Sequence, residues 1–271
     1  MSVAALCGCT ERNGDFVVAR RGAAADCTVV VPENASPAVR FAAGEFREYV
    51  KRMTGVVLPL STDAERPPGK AVLIGDGIDI PALGDEGFRI VAEGDRLSVL
   101  GSGPRGALYG VYELLERFGG CGWFSPNCEV VPAIDSFVVP GGFDETQKPA
   151  FISRTTSWGV VRKNPQFAAR LRINGVTDPT IPKERGGAAL RFCKGLGIGH
   201  TFQHLLPSEV WFTSHPEYFC EVDGRRRSGK EIQPCLTNPD VLRIVVSNVL
   251  ERLAADPEAN VVGVSQNDNR M

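Results

Sequence analysis

Four polar residues, Gln266-Asn267-Asp268-Asn269, follow the apolar run Val261-Val262-Gly263-Val264-Ser265. A run of that kind reads as a buried parallel strand, and α/β folds gather catalytic groups beyond the carboxyl ends of such strands. An acid set among amides has the composition that glycoside hydrolysis requires. Asp268 could protonate a leaving oxygen while Gln266, Asn267 and Asn269 offer fixed donors and acceptors to hydroxyl groups. The competing reading is a polar loop in which Asp268 caps a helix. His200 follows Gly197-Ile198-Gly199 and either binds a sugar hydroxyl or is structural. Arg154 either clamps a hydroxyl or carboxylate through its fork of donors or forms a surface ion pair. Trp158, Trp211, Phe212, Tyr218 and Phe219 could stack on sugar faces, or could anchor core and loops.

A second chemistry is written into Gly101-Ser102-Gly103-Pro104-Arg105-Gly106, a G-x-G-x-x-G string between a strand-like run and a helical one. Such a string can cradle a dinucleotide pyrophosphate on a helix N-terminus. Its context argues otherwise. The dinucleotide fold opens with this fingerprint and places an acid about 20 residues later for the ribose. Here about a hundred residues come first, and Glu129, the acid nearest that spacing, sits between Cys128 and Val130-Val131-Pro132. A structural reading explains the glycines equally: Gly101 and Gly103 turn the chain, while Gly106 and Gly110 let the helix lie close on a sheet. An NAD(P)-binding oxidoreductase is therefore the less favoured alternative.

Composition narrows the classes further. The chain has 271 residues and a net charge of −2, with mixed charges that argue against a nucleic-acid or membrane-surface protein. No apolar run approaches the ~20 residues of a membrane span. Leu6-Cys7-Gly8-Cys9 faintly suggests a lipoprotein box, but its apolar lead is too short. The eight cysteines include no C-x-x-C pair, and only Cys121 and Cys128 suggest a bridge. With three histidines (200, 204 and 215), neither a metal site nor a cofactor is expected.

The elements that must position these residues fall into two groups. Phe16 to Ala19, Cys27 to Val31 and Ala71 to Ile74 read as strands. Ser36-Pro37 starts a helix whose buried face is Val39, Phe41, Ala42, Phe46, Tyr49, Val50 and Met53, ending at Thr54-Gly55. Phe88 to Val91 and Leu97 to Leu100 form a hairpin, and a helix runs from about Pro104 to Phe118. This predicts an αβ sandwich with a mixed or antiparallel sheet over 1–140 and a linker at 141–149. Beyond it, Phe151 to Thr156 reads as a strand, Ala168 to Val176 as a second element and Gly197 to Phe202 as a strand end. Asp223-Gly224 supports a hairpin ahead of the Arg225-Arg226-Arg227 turn. Asn238-Pro239 caps a helix from Asp240 to about Ala255, followed by the strand at 261–265. Alternating units predict a (β/α)8 barrel over 150–271, of which only the first half fits, since a whole one takes ~250 residues. The expectation is a fragment, inactive by itself.

Several strings carry a family resemblance. Ala35-Ser36-Pro37 through Ala42-Ala43-Gly44-Glu45-Phe46 to Met53-Thr54-Gly55-Val56-Val57-Leu58-Pro59 resembles the N-terminal domain of family 67 α-glucuronidases and its family 20 hexosaminidase equivalent. Gly106-Ala107-Leu108-Tyr109-Gly110-Val111-Tyr112, Gly120-Cys121-Gly122-Trp123-Phe124-Ser125-Pro126 and Val131-Pro132 resemble a second hallmark of that domain. His200-Thr201-Phe202, His215-Pro216-Glu217-Tyr218-Phe219, Cys235-Leu236-Thr237-Asn238-Pro239 and Val264-Ser265-Gln266-Asn267-Asp268-Asn269 resemble the domain-of-unknown-function 4838 family, bacterial proteins with a glycosidase-like barrel. The resemblance implies hydrolysis of a hexosamine- or uronic-acid-containing oligosaccharide or polysaccharide, and a periplasmic or extracellular place. Pro149-x-Phe151-x-x-Arg154 has the spacing of the hexosaminidase motif whose arginine grips the sugar, which implies that role for Arg154. Family 20 carries an Asp-Glu pair where this chain reads Asn267-Asp268-Asn269, a departure that leaves the acetamido-assisted mechanism without its glutamate. A non-catalytic glycan-binding protein is the main alternative.

Overall fold

A computed structural model describes residues 11–65, 68–76, 81–103, 105–177 and 179–268. The chain forms two compact units, one reaching Ala189 and the other beginning at Leu190. Among the described residues no helix is long and apolar enough to cross a membrane.

The first unit is a mixed sheet with two helices on one face. Its strands are β1 (Phe16–Arg20), β2 (Cys27–Val31), β3 (Leu60–Thr62), β4 (Lys70–Asp76), β5 (Phe88–Glu93), β6 (Arg96–Gly101), β7 (Gly122–Ser125), β8 (Cys128–Val130), β9 (Ser136–Val139) and β10 (Asp144–Gln147). Six of them run in the order β10-β5-β6-β4-β2-β3, parallel from β6 through β4 and β2 to β3, antiparallel from β6 through β5 to β10. β1 pairs with β9, and β7 with β8, each antiparallel. Alternation along β5 and β6 sends Phe88, Ile90, Ala92, Leu97 and Val99 into the core, under the helices.

Helix α1 (Pro37–Thr54) follows its sequence signals closely. The Ser36 hydroxyl accepts the Val39 amide at 3.3 Å, Pro37 occupies the first turn, and Gly55 closes the helix at φ 82°. Helix α2 (Gly106–Arg117) buries residues on nearly every side, including Leu108, Tyr109, Val111, Tyr112, Leu114 and Leu115. A helix apolar all round must be covered all round. The sheet covers one side: a side chain at Gly110 would stand 2.6 Å from Val99 Cγ1. Its other sides meet α1 and the chain beyond residue 150.

That later segment belongs to the same compact unit. Val161, Phe167, Ala168 and Ile181 join the core of the sheet and helices. Residues 151–156, expected as a strand, form no ladder. Their main chain is bonded instead by Asn174, whose Oδ1 accepts the Arg154 amide (2.7 Å) and whose Nδ2 donates to Ile152 O (2.8 Å). Arg154 O accepts the amides of Asn174 and Gly175. Two short helices follow, α3 (Gly159–Arg162) and α4 (Pro165–Arg170), and Arg172 reverses the chain at φ 57°.

Three arginines fasten this segment to carboxylates of α1, α2, β8 and the turn that ends at Glu86. Arg154 Nη1 lies 2.7 Å from Glu86 Oε2. Arg170 lies over the Tyr49 and Trp123 rings, 3.4 Å from Glu45 and 3.6 Å from Glu129. Arg172 Nη2 donates to Glu116 at 2.5 Å and Glu113 at 3.2 Å. Glu86 is the deepest carboxylate of the set, with 7% of its side chain exposed. It also accepts Arg105 Nε at 2.5 Å and Asn174 Nδ2 at 2.6 Å.

In the second unit, the 190s run beside the 260s. Phe192 and Val261 form a parallel bridge, Cys193 N donates to Val261 O (2.8 Å) and Gly263 N donates to Leu196 O (3.1 Å). The strand expected at 261–265 is therefore reduced to one bridge. Gly263 is packed so tightly that a Cβ would overlap Gly197 O. Between these stretches lie α5 (Phe202–Leu205), α6 (Ser208–Trp211), the hairpin β11 (Glu221–Val222) and β12 (Arg225–Arg226), and α7 (Pro239–Ala255). The hairpin turns at Asp223 and Gly224, both at positive φ. Asn238 caps α7 by accepting the Asp240 amide at 2.9 Å, while Val241 and Val245 join Leu196, Leu205 and Phe219 in a separate core.

Cys121 and Cys128 are not bridged: Cys121 is buried against Met53 Sδ at 3.7 Å, and Cys128 is an exposed thiol. Burial pushes the Cys27 and Cys121 thiols up to about 12. The half-buried Cys235 is held below the ordinary thiol value, chiefly by the Thr237 hydroxyl. Cys7 and Cys9 lie outside the described residues.

Two measurements test this arrangement. Replacing Glu86 with Ala leaves the buried Arg105 and the half-buried Arg154 without their shared carboxylate, which should cost about 3–5 kcal/mol in denaturant unfolding; a loss below about 1 kcal/mol would contradict the assigned role. For Glu129, burial raises the carboxyl pKa, but hydrogen bonds from Arg52 and Tyr49 outweigh it and hold the group below the ordinary glutamate value. Its folded-state pKa is depressed, so its stabilisation is present above the ordinary value and is lost as pH falls through the folded one. Melting temperatures of the protein and of Glu129→Gln should therefore differ most near neutrality and converge in acid.

Candidate functional site

The best-defined polar edge of the second unit is made where the 200s meet the 260s. The Thr201 hydroxyl accepts the Ser265 amide at 2.7 Å, and Ser265 O accepts the amides of Thr201 and Phe202, each at 3.2 Å. Asn267, 4% exposed, is saturated by main chain. Its Oδ1 accepts Gln203 N (2.9 Å) and its Nδ2 donates to Ile232 O (2.9 Å). Gln233 completes the clamp, its Oε1 accepting Asn267 N at 3.1 Å and its Nε2 donating to Asn267 O at 2.6 Å.

These bonds fix the residues on either side of them. His200 is held at φ 56°, in the left-handed region that a non-glycine residue seldom occupies, and its carbonyl accepts Gln203 Nε2 at 3.0 Å. Its Nε2 lies 3.6 Å from Asp268 Oδ2, and both side chains are open to solvent, half and about four-fifths exposed respectively. Such a pair can hold a hydroxyl between them, and an exposed aspartic acid can pass a proton to a neighbouring oxygen. Gln266 is exposed beside them. Asn269 lies outside the described residues.

The site expected from sequence is thus brought together in part. His200 and Asp268 adjoin, whereas Asn267 points its polar atoms into the protein and serves as a positioning residue. Thr201, Gln203, Gln233 and Ser265 escaped the sequence reading. Thr201 and Ser265 stood in the quoted strings around His200 and Asp268, Gln203 and Gln233 outside them, and nothing in a string tells which polar side chain turns inward.

Arg154 stands in the first unit. Its Nε donates to Arg172 O (2.8 Å) and its Nη1 to Phe151 O (2.8 Å) and Glu86, while its guanidinium lies 5.8 Å from the centre of the Tyr109 ring. The buried Nη2 has no partner among the described residues.

The glycine string serves packing. A Cβ at Gly101 would strike Ala107 N, one at Gly103 would stand 2.7 Å from Asp85 O, and one at Gly106 would strike Gly87 O. Ser102 N and Oγ both donate to Gly87 O at 2.9 Å. The loop is therefore closed over residues 84–87, with Arg105 turned to Glu86. Glu129, the acid of the dinucleotide reading, is bound to Arg52 at 2.6 Å and Tyr49 at 2.8 Å. Among the described residues, no three His, Cys, Asp or Glu side chains are grouped to hold a metal ion.

Comparison with known proteins places these features in a family. The description "Glycosyl hydrolase family 67 N-terminus" matches residues 18–114, and "Domain of unknown function (DUF4838)" matches residues 123–271. The fold is similar to that of a family GH115 4-O-methyl-α-glucuronidase, BtGH115A, described as specific for decorated arabinogalactans. Identity is 16% and the TM-score 0.51, over 92% of this chain and 41% of that one. A GH20 β-N-acetylhexosaminidase from Streptomyces coelicolor A3(2) matches at 15% identity and a TM-score of 0.40, over 87% and 42% of the two chains. The N-acetyl-β-hexosaminidase of Streptomyces plicatus matches at 17% and 0.40, over 87% and 41%. The chain thus spans well under half the length of these structures, and no curated protein matches it. With residues 123–271 of its 271 covered, the chain belongs to the domain-of-unknown-function 4838 family.

Proposed function

We propose that this chain is part of a carbohydrate-active protein that cleaves glycosidic bonds, with Asp268 as its general acid. The observation that carries the reading is the His200–Asp268 pair, 3.6 Å apart and solvent-open, set on a main chain that Asn267, Gln233 and Thr201 clamp from beneath. Rigid support under an exposed acid is what proton delivery to a leaving oxygen requires. His200 and Gln266 then contact sugar hydroxyls. Arg154, bound within the first unit to Glu86, Phe151 O and Arg172 O, is read as an ion pair rather than as a sugar clamp. The substrate class is a hexosamine- or uronic-acid-containing glycan of bacterial, plant or host origin. Hydrolysis needs a second participant, either another carboxylate or an acetamido group of the substrate.

In this reading residues 1–140 form an accessory domain, 141–149 a connection that lays β10 on the edge of its sheet, and 150–271 the first part of a (β/α)8 barrel, its opening stretch packed on the accessory domain. The parallel Phe192–Val261 bridge, with α7 on the connection between its two strands, supports that assignment, since a helical crossover is how parallel neighbours are joined.

Hydrolysis of a panel of hexosaminides and hexuronides by the full-length protein tests the role of Asp268. Asp268→Asn should lower the rate by about 10²–10⁴-fold with the melting temperature unchanged. Undiminished turnover would end the assignment, and sugar binding unaccompanied by turnover would favour a non-catalytic glycan-binding protein. Asn267→Ala should behave oppositely in stability. It frees the buried Gln203 amide and Ile232 carbonyl, costing about 1–3 kcal/mol and raising hydrogen exchange at Gln203.

A further inference from the structure

We propose that the first unit carries a separate binding cleft for acidic sugars, built around Trp158. An open cleft of about 690 Å³ is lined by Pro126, Asn127, Trp158, Val160, Lys163 and Asn164. That volume falls within the ~300–1,000 Å³ typical of small-ligand sites. Trp158 is 56% exposed, an unusual position for the costliest side chain to leave in water.

The main chain that carries the exposed indole is held in place. Trp158 N donates to the Thr156 hydroxyl at 3.1 Å, and Trp158 O accepts the amides of Val161 and Arg162, both at 3.1 Å. Val161, 2% exposed, anchors this short helix in the main core. Asn164 Nδ2 donates to Val160 O at 2.7 Å, which fixes the far wall. The facing wall is the turn of the β7–β8 hairpin, where Asn127 N donates to the Ser125 hydroxyl at 3.3 Å, and the hairpin is pinned by buried Trp123 donating to Tyr49 Oη at 2.8 Å. A flat ring on a rigid mount, beside amide donors and acceptors, matches the two-sided character of a pyranose, whose C–H face is apolar and whose rim is hydroxylated.

Charge selects among sugars. Lys163 is exposed and makes no ion pair among the described residues, and no acid lines the cleft. One uncommitted cation beside a stacking ring favours a pyranose that carries a carboxylate, a hexuronic acid. The cleft needs no bond cleavage and uses no group of the proposed catalytic set, so it goes beyond the hydrolase reading and stands without it.

The probes are glucuronate and galacturonate oligosaccharides, with neutral oligosaccharides of the same length as controls, titrated into the full chain while tryptophan fluorescence and calorimetric heat are followed. Uronate binding should weaken at least about tenfold in Trp158→Ala, the loss expected for one stacked ring. It should weaken about threefold in Lys163→Met and decline with salt, as a single exposed charge contact would. Asp268→Asn should bind as the wild type does. Binding retained in Trp158→Ala, no binding of either class, or loss of binding in Asp268→Asn would each overturn the cleft. Equal affinity for neutral sugars with no effect of Lys163→Met would overturn its acidic preference. Should Trp158→Ala fail to fold, Trp158→Phe and Lys163→Met carry the same comparison. Failure of hydrolysis with binding intact would count against the Asp268 reading alone.

Discussion

A single buried carboxylate sets the terms for the first unit. Glu86 accepts from Arg105 at the start of α2, from Arg154 and from Asn174, each from a different part of the chain. Removing a charge from water costs several kcal/mol and is tolerated only where partners saturate it. The three partners therefore specify one another's positions. Arg105 in turn donates to Gly186 O at 3.0 Å, which extends the same constraint to the last residues of the unit. The glycine loop ahead of α2 is part of this device, because its close packing over residues 84–87 is what delivers Arg105 to Glu86.

From that centre the rest of the unit follows. Helix α2 is apolar nearly all round and needs a second cover beyond the sheet. The segment after residue 150 supplies it, and the pairs made by Arg170 and Arg172 orient it through Glu45, Glu129, Glu113 and Glu116. The cover is held by directional charge contacts at its margins and by Val161, Phe167 and Ala168 at its middle. The second unit uses a neutral counterpart of the same logic. There Asn267 spends its amide on main-chain groups and leaves its neighbour Asp268 free.

Much of this was legible in the sequence where the signal is local. Ser36-Pro37 and Gly55 bound α1, Asn238-Pro239 opens α7, and the pleat of β5 and β6 shows in the alternation of their side chains. The wide misses have a common cause. Residues 151–156 have strand composition, yet Asn174 takes their hydrogen bonds, and no pattern within six residues can report a partner twenty positions away. Arg154 reads as a surface cation until Glu86 is found beneath it. Asn267 and Gln266 are alike in sequence and differ in which one burial claims. Juxtaposition of His200 with Asp268 came from strings matched together, since neither residue alone carries a spacing rule.

The thiols carry a practical consequence. Cys27 and Cys121 are sealed in the core with their protons held tightly, while Cys128 is open to solvent and Cys235 gives up its proton more readily than a free cysteine. Thiolate is the form that alkylates and oxidises. A maleimide at limiting dose would thus mark Cys128 and Cys235 ahead of the sealed pair.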